Sequence, residues 1–436
     1  MLLTPLPNPP PQGGRECAEC GATVDTLKVR DAQDVEQVVR AALASEQPLE
    51  VIGHGTKRLI GAPMATNALL DLSALNAVTA YEPNELIITV QAGAPLNDVK
   101  SLIDSKNQQF AFEPVDTSRL MGTAADRGTI GGMIGAGLAG PRRIRDGGVR
   151  DHLLGAHAVS GFGDSFKAGG RVVKNVTGYD LCKLLAGSWG TLAVMTEVTL
   201  KVMPRPESTR TLVLRGLDDI VANRAMTTAL GSPFDVSGAA HVPASTFRPV
   251  GGALANLGSP RRPVTLLRLE GIAASVAHRA ASLSATLAPF GSSEIVEDTA
   301  SAALWRWIRD VLPFAADGML GAWPLWRIVC PPASGGALGE ALARETGGDV
   351  IYDWGGGLIW AAVPPAADAR AALLRQRAGA VGGHATLVRA AEPVRRIVEV
   401  FTPQDGGLMA LGERVRHAFD PKNILNRGRL TRGANP

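Results

Sequence analysis

Cysteine and tyrosine are scarce in this sequence, with four and three residues among 436. Four cysteines (Cys17, Cys20, Cys182 and Cys330) in so long a chain do not make the disulfide framework that staples small secreted domains. Cys17-Ala-Glu-Cys20 has C-x-x-C spacing, but no second Cys/His pair lies near enough to complete a zinc site, so it reads as part of a flexible tail. No apolar run reaches the ~18 residues of a membrane helix. Met1 to Gly14 is rich in proline and lacks the basic and apolar regions of a signal peptide. No long Lys/Arg run occurs and the net charge is only +3, which argues against a nucleic-acid partner. The expectation is a cytoplasmic protein without a transmembrane segment, peripheral to the plasma membrane's inner face only through partners.

Glycine, by contrast, is abundant and clustered: 50 residues, many in three groups before position 200. The length suggests two or three domains, and 45% apolar with 19% charged residues is a globular balance. Residues 1–26 read as a disordered tail. Asp31 caps a helix whose Val35, Val38, Val39, Ala42 and Leu43 share one face. Strands follow at Pro48–Ile52, Ala68–Leu72 and Glu85–Gly93, then a helix from Ala94 to Lys106 and strands at Gly155–Val159 and Val194–Met203. Pro204-Arg205-Pro206 marks a boundary. Beyond it, strands at Val264–Gly271, Trp326–Val329, a glycine-turn hairpin from Val350 to Val363 and Gly383–Val388 alternate with helices, in the pattern of an antiparallel sheet with helices on one face. A last helix runs from Leu408 to Phe419. The fold class is α+β, divided at 27–206, 207–400 and 401–436.

Gly53-His54-Gly55-Thr56-Lys57 follows a strand. It is neither a Walker loop nor G-x-G-x-x-G, yet such a turn can aim successive N–H groups at one anion. Alone it equally suits a tight surface turn. The second cluster runs from Thr129 through Gly131, Gly132, Gly135 and Gly137 to Gly140. The third combines Thr177-Gly178-Tyr179-Asp180-Leu181 with Gly187-Ser188-Trp189-Gly190-Thr191 and Val194. Three glycine clusters within one block suit a long ligand with a diphosphate and a flat ring. Arg142, Arg143, Arg145 and Arg150 form the densest basic stretch, either a solvated loop or a contact to a partner or phosphate.

In this order the motifs resemble the PCMH-type FAD-binding domain of the vanillyl-alcohol oxidase/p-cresol methylhydroxylase superfamily, with a narrower resemblance to the FAD-binding E subunits of bacterial glycolate oxidases. The resemblance implies a two-subdomain FAD domain plus a smaller cap. It places FAD against Ile52, Gly53, His54, Gly55, Thr56, Lys57, Gly61, Thr129, Gly131, Gly132, Gly135, Gly137, Gly140, Asp180, Gly187, Gly190, Thr191 and Val194. The C-terminal Asp420-Pro421-Lys422-Asn423-Ile424-Leu425-Asn426-Arg427-Gly428 is similar to the family's returning tail and adds Asn426; Arg427 stands where proline is usual. Thr56 falls at the position of the histidyl link found in some members and His54 two residues before it, so the expectation is non-covalent FAD. The narrower resemblance implies a second flavin subunit and an iron–sulfur subunit as partners, and glycolate, a small 2-hydroxy acid, as substrate of the complex.

Related D-lactate dehydrogenases carry H-x-G-D-G-N-x-H and a Glu-His pair; neither occurs among the seven histidines here. No metal site is expected, and substrate oxidation is placed on another subunit. His384, entering a strand from a glycine turn, and Arg389, further along it, are the candidate catalytic residues. The six tryptophans of the second half read as cap core rather than a substrate cage. Two alternatives stay open: a self-sufficient FAD-dependent 2-hydroxy-acid dehydrogenase, and a structural subunit without working flavin.

Overall fold

A short, largely parallel sheet opens the chain in the computed structural model, which describes residues 15–16, 23–64, 66, 68–170, 178–246 and 262–430. Its strands β1 (Arg15–Glu16), β2 (Thr23–Lys28), β3 (Leu49–Ile52) and β4 (Ala68–Asp71) lie in the order β1-β2-β4-β3. Both β2 and β3 run parallel to β4. Structure thus begins before residue 27: Asp25 already pairs with Ala68. Edge pairing recruits a polar segment that propensity alone leaves as tail. Cys17 and Cys20, like Asn175 to Thr177, lie outside the described residues. The helix Ala32–Ser45 starts where Asp31 accepts the Asp34 N–H at 2.9 Å, and it buries Val35, Val39 and Ala42.

An antiparallel sheet follows. It consists of β5 (Val78–Glu82), β6 (Ile87–Gln91), β8 (Leu153–Ser160), β9 (Ser165–Gly169) and β10 (Ala193–Lys201), ordered β5-β6-β10-β8-β9. The short β7 (Gln108–Gln109) pairs with β11 (Met203–Pro204). The strand expected from Glu85 starts at Ile87, because Pro83–Glu85 forms a 3-10 turn closed by Leu86 at φ 58°. Against this sheet lies the helix Ile130–Ala136, the first half of the glycine-rich stretch. There Gly131 donates its N–H to the Ala92 carbonyl at 2.7 Å, and a Cβ on Gly131 would sit 2.9 Å from that oxygen. Close approach of helix to sheet is what this glycine permits.

The second half builds one eight-stranded antiparallel sheet. Its strands are β12 (Ser208–Arg215), β13 (Val236–Val242), β14 (Val264–Gly271), β15 (Ser293–Glu297), β16 (Leu325–Val329), β17 (Asp349–Asp353), β18 (Leu358–Ala362) and β19 (His384–Arg389), in the order β15-β12-β14-β13-β17-β18-β16-β19. One face packs under the helices Asp219–Leu230, Ala273–Thr286, Gly335–Thr346 and Ala371–Ala380. The other shares a core with Ile60, Leu120 and Met121 of the first half, and Trp305, Trp307, Trp354 and Trp360 are buried in it. Two reciprocal bidentate ion pairs bolt the halves together at the same junction. Arg268 reaches Glu113 with both nitrogens at 2.8 Å, and Arg142 holds Glu270 at 2.8 and 2.6 Å. These guanidiniums keep both carboxyls ionised, well below their ordinary range, although burial pushes the other way.

After the helix Gly406–Phe419 the chain returns to the first sheet, where Leu425 bridges Leu49. Asp420, fully buried, shapes this return by accepting the N–H groups of Ile424 and Leu425 at 3.0 and 2.8 Å.

Candidate functional site

Strand β3 carries a charged residue on a buried position: Glu50 is 4% exposed. An unpaired carboxylate there would be costly. Arg58 neutralises it with a fork at 2.9 and 2.6 Å, and Arg429 adds a contact at 3.2 Å. Arg58 thereby folds the intervening turn back over the strand, with Arg58 N–H to Gly55 O at 3.2 Å and Ile60 N–H to Lys57 O at 3.0 Å. Gly55 takes φ +71°, which a side chain would disfavour. His54 hydrogen-bonds the Arg127 carbonyl through Nδ1 at 2.9 Å. The backbone N–H groups of His54, Gly55, Thr56 and Lys57 have no protein acceptor among the described residues. Four consecutive free donors form an anion-binding concavity.

Opposite the turn stands the helix Ile130–Ala136, capped by Thr129, whose hydroxyl accepts the Gly132 N–H at 3.2 Å. Thr129 also closes on the turn: a Cβ at Gly53 would lie 2.5 Å from its Oγ1. A Cβ at Gly135 would meet Gly190 N and Trp189 Cα at 3.9 Å, ordinary contact distance, so this glycine leaves room for a methyl group beside the Trp189–Gly190 wall. Turn, helix and the segment Trp189–Met195 line an open cleft with about 780 Å³ of empty space, the solvent at its mouth included. The Lys57 ammonium borders it with no partner among the described residues. Burial pushes its pKa down, opposed by Asp116.

Of the residues singled out from the sequence, Ile52, Gly53, His54, Gly55, Thr56, Lys57, Thr129, Gly131, Gly132, Gly135, Gly190, Val194 and Asn426 all border this one cleft. Asn426 joins two of its walls, accepting the Val51 N–H at 2.8 Å and donating to the Trp189 carbonyl at 2.7 Å. The others stand elsewhere. Gly61, at φ +98°, packs on Arg429. Gly137 caps the short helix and abuts Gly187, whose N–H goes to Ile134 O at 2.9 Å. Gly140 sits at the junction with the cap, where its carbonyl accepts the Trp354 indole N–H at 3.0 Å. Asp180 caps the helix Leu181–Leu185 and pairs with Lys183 at 3.0 Å. Thr191 is buried, with its hydroxyl on Ser188 O at 2.7 Å.

The two catalytic candidates part company. His384 is exposed at the start of β19. Arg389 is buried, and its guanidinium donates to the carbonyls of Leu120, Phe314, Leu320 and Trp323 at 2.6 to 3.4 Å. It pins loops together and does not present itself to a carboxylate. The β16/β19 register slips by one residue between Trp326↔Leu387 and Leu325↔Arg389, and such a bulge re-aims the side chain.

Sequence reasoning missed Arg58, Trp189, Ala92, Ala193, Met195 and Arg429 as cleft residues. The charge inside β3 was the available signal for Arg58, since a strand glutamate needs a partner. Nothing local announces Arg429, which arrives from the end of the chain. Among the described residues no group of three or more His, Cys, Asp or Glu could hold a metal ion, and no helix is long and apolar enough to cross a membrane.

The donor set fits a dinucleotide: a run of free N–H groups and a lysine for the diphosphate, and a glycine wall that admits a flat ring system. Comparisons with known proteins agree. Residues 26–169 match the FAD binding domain family. The chain is 30% identical to glycolate oxidase subunit GlcE of Escherichia coli over 403 residues, 92% of this chain and 97% of that one. It is 31% identical to glycolate oxidase subunit GlcD of Bacillus subtilis over 42% of this chain and 38% of the relative. Among solved structures, p-cresol methylhydroxylase with substrate bound superposes with a TM-score of 0.65 at 15% identity, over 93% of this chain and 88% of that one. The fold is therefore that of a PCMH-type flavin domain with its cap.

Proposed function

Because the chain belongs to the family of FAD-binding proteins that contains glycolate oxidase subunit GlcE, we propose that it is the FAD-carrying subunit of an enzyme complex that oxidises a small 2-hydroxy acid, with glycolate to glyoxylate as the leading reaction. The observation that carries the reading is the four-donor turn His54–Lys57 facing the open glycine wall at Gly135 across a single cleft. The turn's N–H groups and Lys57 would hold the diphosphate. The bound flavin supplies the two-electron acceptor. Protein groups orient the substrate and take its hydroxyl proton.

FAD is held without a covalent bond in this reading. It is supported by Thr56 at the linking position and by the engagement of the His54 Nδ1 with Arg127. The partners are a second flavin subunit and an iron–sulfur subunit that pass the electrons onward. The site of action is the cytoplasm, with any attachment to the inner face of the plasma membrane made through those partners.

The chain should purify yellow or take up FAD, and acid precipitation should release all of the flavin into the supernatant. A colourless chain that cannot be reconstituted contradicts the flavin assignment; flavin that stays with the precipitate contradicts only its non-covalent form. Tagged chain drawn from its native host should bring iron and a second flavin with it.

A further inference from the structure

On the cap sheet one strand breaks its own pattern. In β16, Trp326 and Ile328 enter the helix-covered core, while Arg327 alternates to the opposite face, the one turned toward the flavin domain. There it lies opposite Trp360 of β18 and Thr386 of β19. His384, which pairs with Val329, shares that face two residues from Thr386, since the intervening Ala385 points into the helix-covered core.

Arg327 is recessed, yet among the described residues its guanidinium has neither a carboxylate nor a hydrogen-bond acceptor. The other deeply placed arginines Arg142, Arg268, Arg309, Arg389 and Arg429 all have one or the other. Its neighbours compensate it only in part: Asp353 attracts it without a direct contact. The Arg327 charge lies 5.1 Å from the Trp354 ring centre, and Arg143, from the short helix Arg143–Asp146 just past Gly140, lies 4.5 Å from the same centre. The adjoining Asp353 is buried, which pushes its carboxyl up to about 7, and it spends one oxygen on the Trp354 N–H at 2.7 Å. The side chains of Thr386, half-buried, and His384, exposed, make no hydrogen bond among the described residues. Burial and Arg327 both lower the His384 pKa, which leaves its imidazole neutral and able to accept a proton. Two cations on one indole, with Asp353 acting on Arg327 only at a distance and no carboxylate in contact with it, are better satisfied when a further anion joins them.

We infer that Arg327, Thr386 and His384 form the receptor for the substrate itself: Arg327 takes the carboxylate of a small 2-hydroxycarboxylate, and Thr386 and His384 meet its hydroxyl. Arg143 adds positive field from the flavin-domain side, and Trp354, tied to the Gly140 carbonyl, fixes the receptor at the junction of the two halves. The carboxylate anchor is thus Arg327 and not Arg389. The inference rests on the proposed 2-hydroxy-acid chemistry for its choice of ligand.

Calorimetric titration of the FAD-loaded chain with oxalate, glycolate and acetate tests it. Arg327→Met should weaken oxalate binding at least about 30-fold, with Arg327→Lys in between and flavin content unchanged. Thr386→Val should weaken glycolate several-fold and leave acetate, which lacks the hydroxyl, as it was. Flavin content and melting temperature certify each fold; if Arg327→Met does not fold, the other two variants decide. No oxalate binding by the parent, or the same Kd in the folded variants, overturns the receptor. If oxalate binds through Arg327 but no 2-hydroxy acid reduces the flavin, the proposed reaction fails and the receptor stands. If flavin is reduced with the same KM in the Arg327 variants, the reaction stands and the receptor fails.

Discussion

The Asn426 side chain accepts the Val51 N–H at 2.8 Å across a separation of 375 residues, so the last described segment of the chain completes the edge of the strand that launches the cleft turn. The same amide donates to Trp189 O at 2.7 Å, and a Cβ at Gly190 would lie 2.7 Å from its nitrogen. One small side chain thus sets the spacing between two walls of the cleft.

Asn426→Ala removes both bonds and leaves a half-buried N–H and C=O unanswered. The loss should be about 2 kcal/mol, measured by denaturant unfolding of the apo protein. The FAD dissociation constant should rise as well, because both walls lose their common strut.

Gly131 and Gly135 separate packing from ligand space. Gly131→Val should damage the fold, since its Cβ would press on the Ala92 carbonyl at 2.9 Å. Gly135→Val should leave the apo protein within about 1 kcal/mol of the parent and abolish flavin retention, because Gly135 lines the cleft and its Cβ would clash with nothing in the apo protein. Visible absorbance of the purified variants, set beside their melting temperatures, distinguishes the two; full flavin in Gly135→Val counts against this cleft as the cofactor site.

Arg389→Met strands four carbonyl groups at once. It should cost at least about 3 kcal/mol. In an Arg389→Met protein that still folds and binds FAD, KM for the hydroxy acid should stay near the parent value, as befits a residue that holds loops.

Asp353 gives stability a defined pH dependence. Its folded pKa of about 7 lies above the ordinary carboxylate value, so between about pH 4 and 7 the folded state binds the extra proton. Its contribution is therefore favourable at low pH and is lost as pH rises through 7. Asp353→Asn keeps an acceptor for the Trp354 N–H and removes this loss. The variant should gain on the parent by up to about 2.6 kcal/mol between pH 5 and pH 8, read as a melting-temperature difference that widens with pH and levels off above pH 7. A constant difference would place the Asp353 proton elsewhere.

Strand and helix positions were largely legible because each rests on local pattern: the Asp31 cap, the apolar run of Val264–Gly271, the glycine hairpin between Asp353 and Leu358. The places that diverged are those where a distant partner overrode propensity. Residues 25 and 26 become strand because β4 offers an edge, and 23 and 24 because they pair with β1. Gly140, which looks like a cofactor glycine, serves domain packing, since a Cβ there would lie 2.7 Å from the Glu113 carbonyl; Gly187, another, takes φ +82° where its N–H turns to Ile134 O.

By itself the sequence determined the chemistry on offer: free amides on a glycine turn, a bare helix face, and no paired histidines. Those follow from residue type and immediate neighbours. Only the tertiary structure decided which of two arginines in the cap is spent and which is open. A one-residue slip in strand register turns Arg389 onto carbonyls brought from three separate segments, while the same sheet leaves Arg327 facing the flavin domain with Asp353 attracting it only from a distance. Whether a charge is satisfied depends on what folding carries to it, and no local pattern records that.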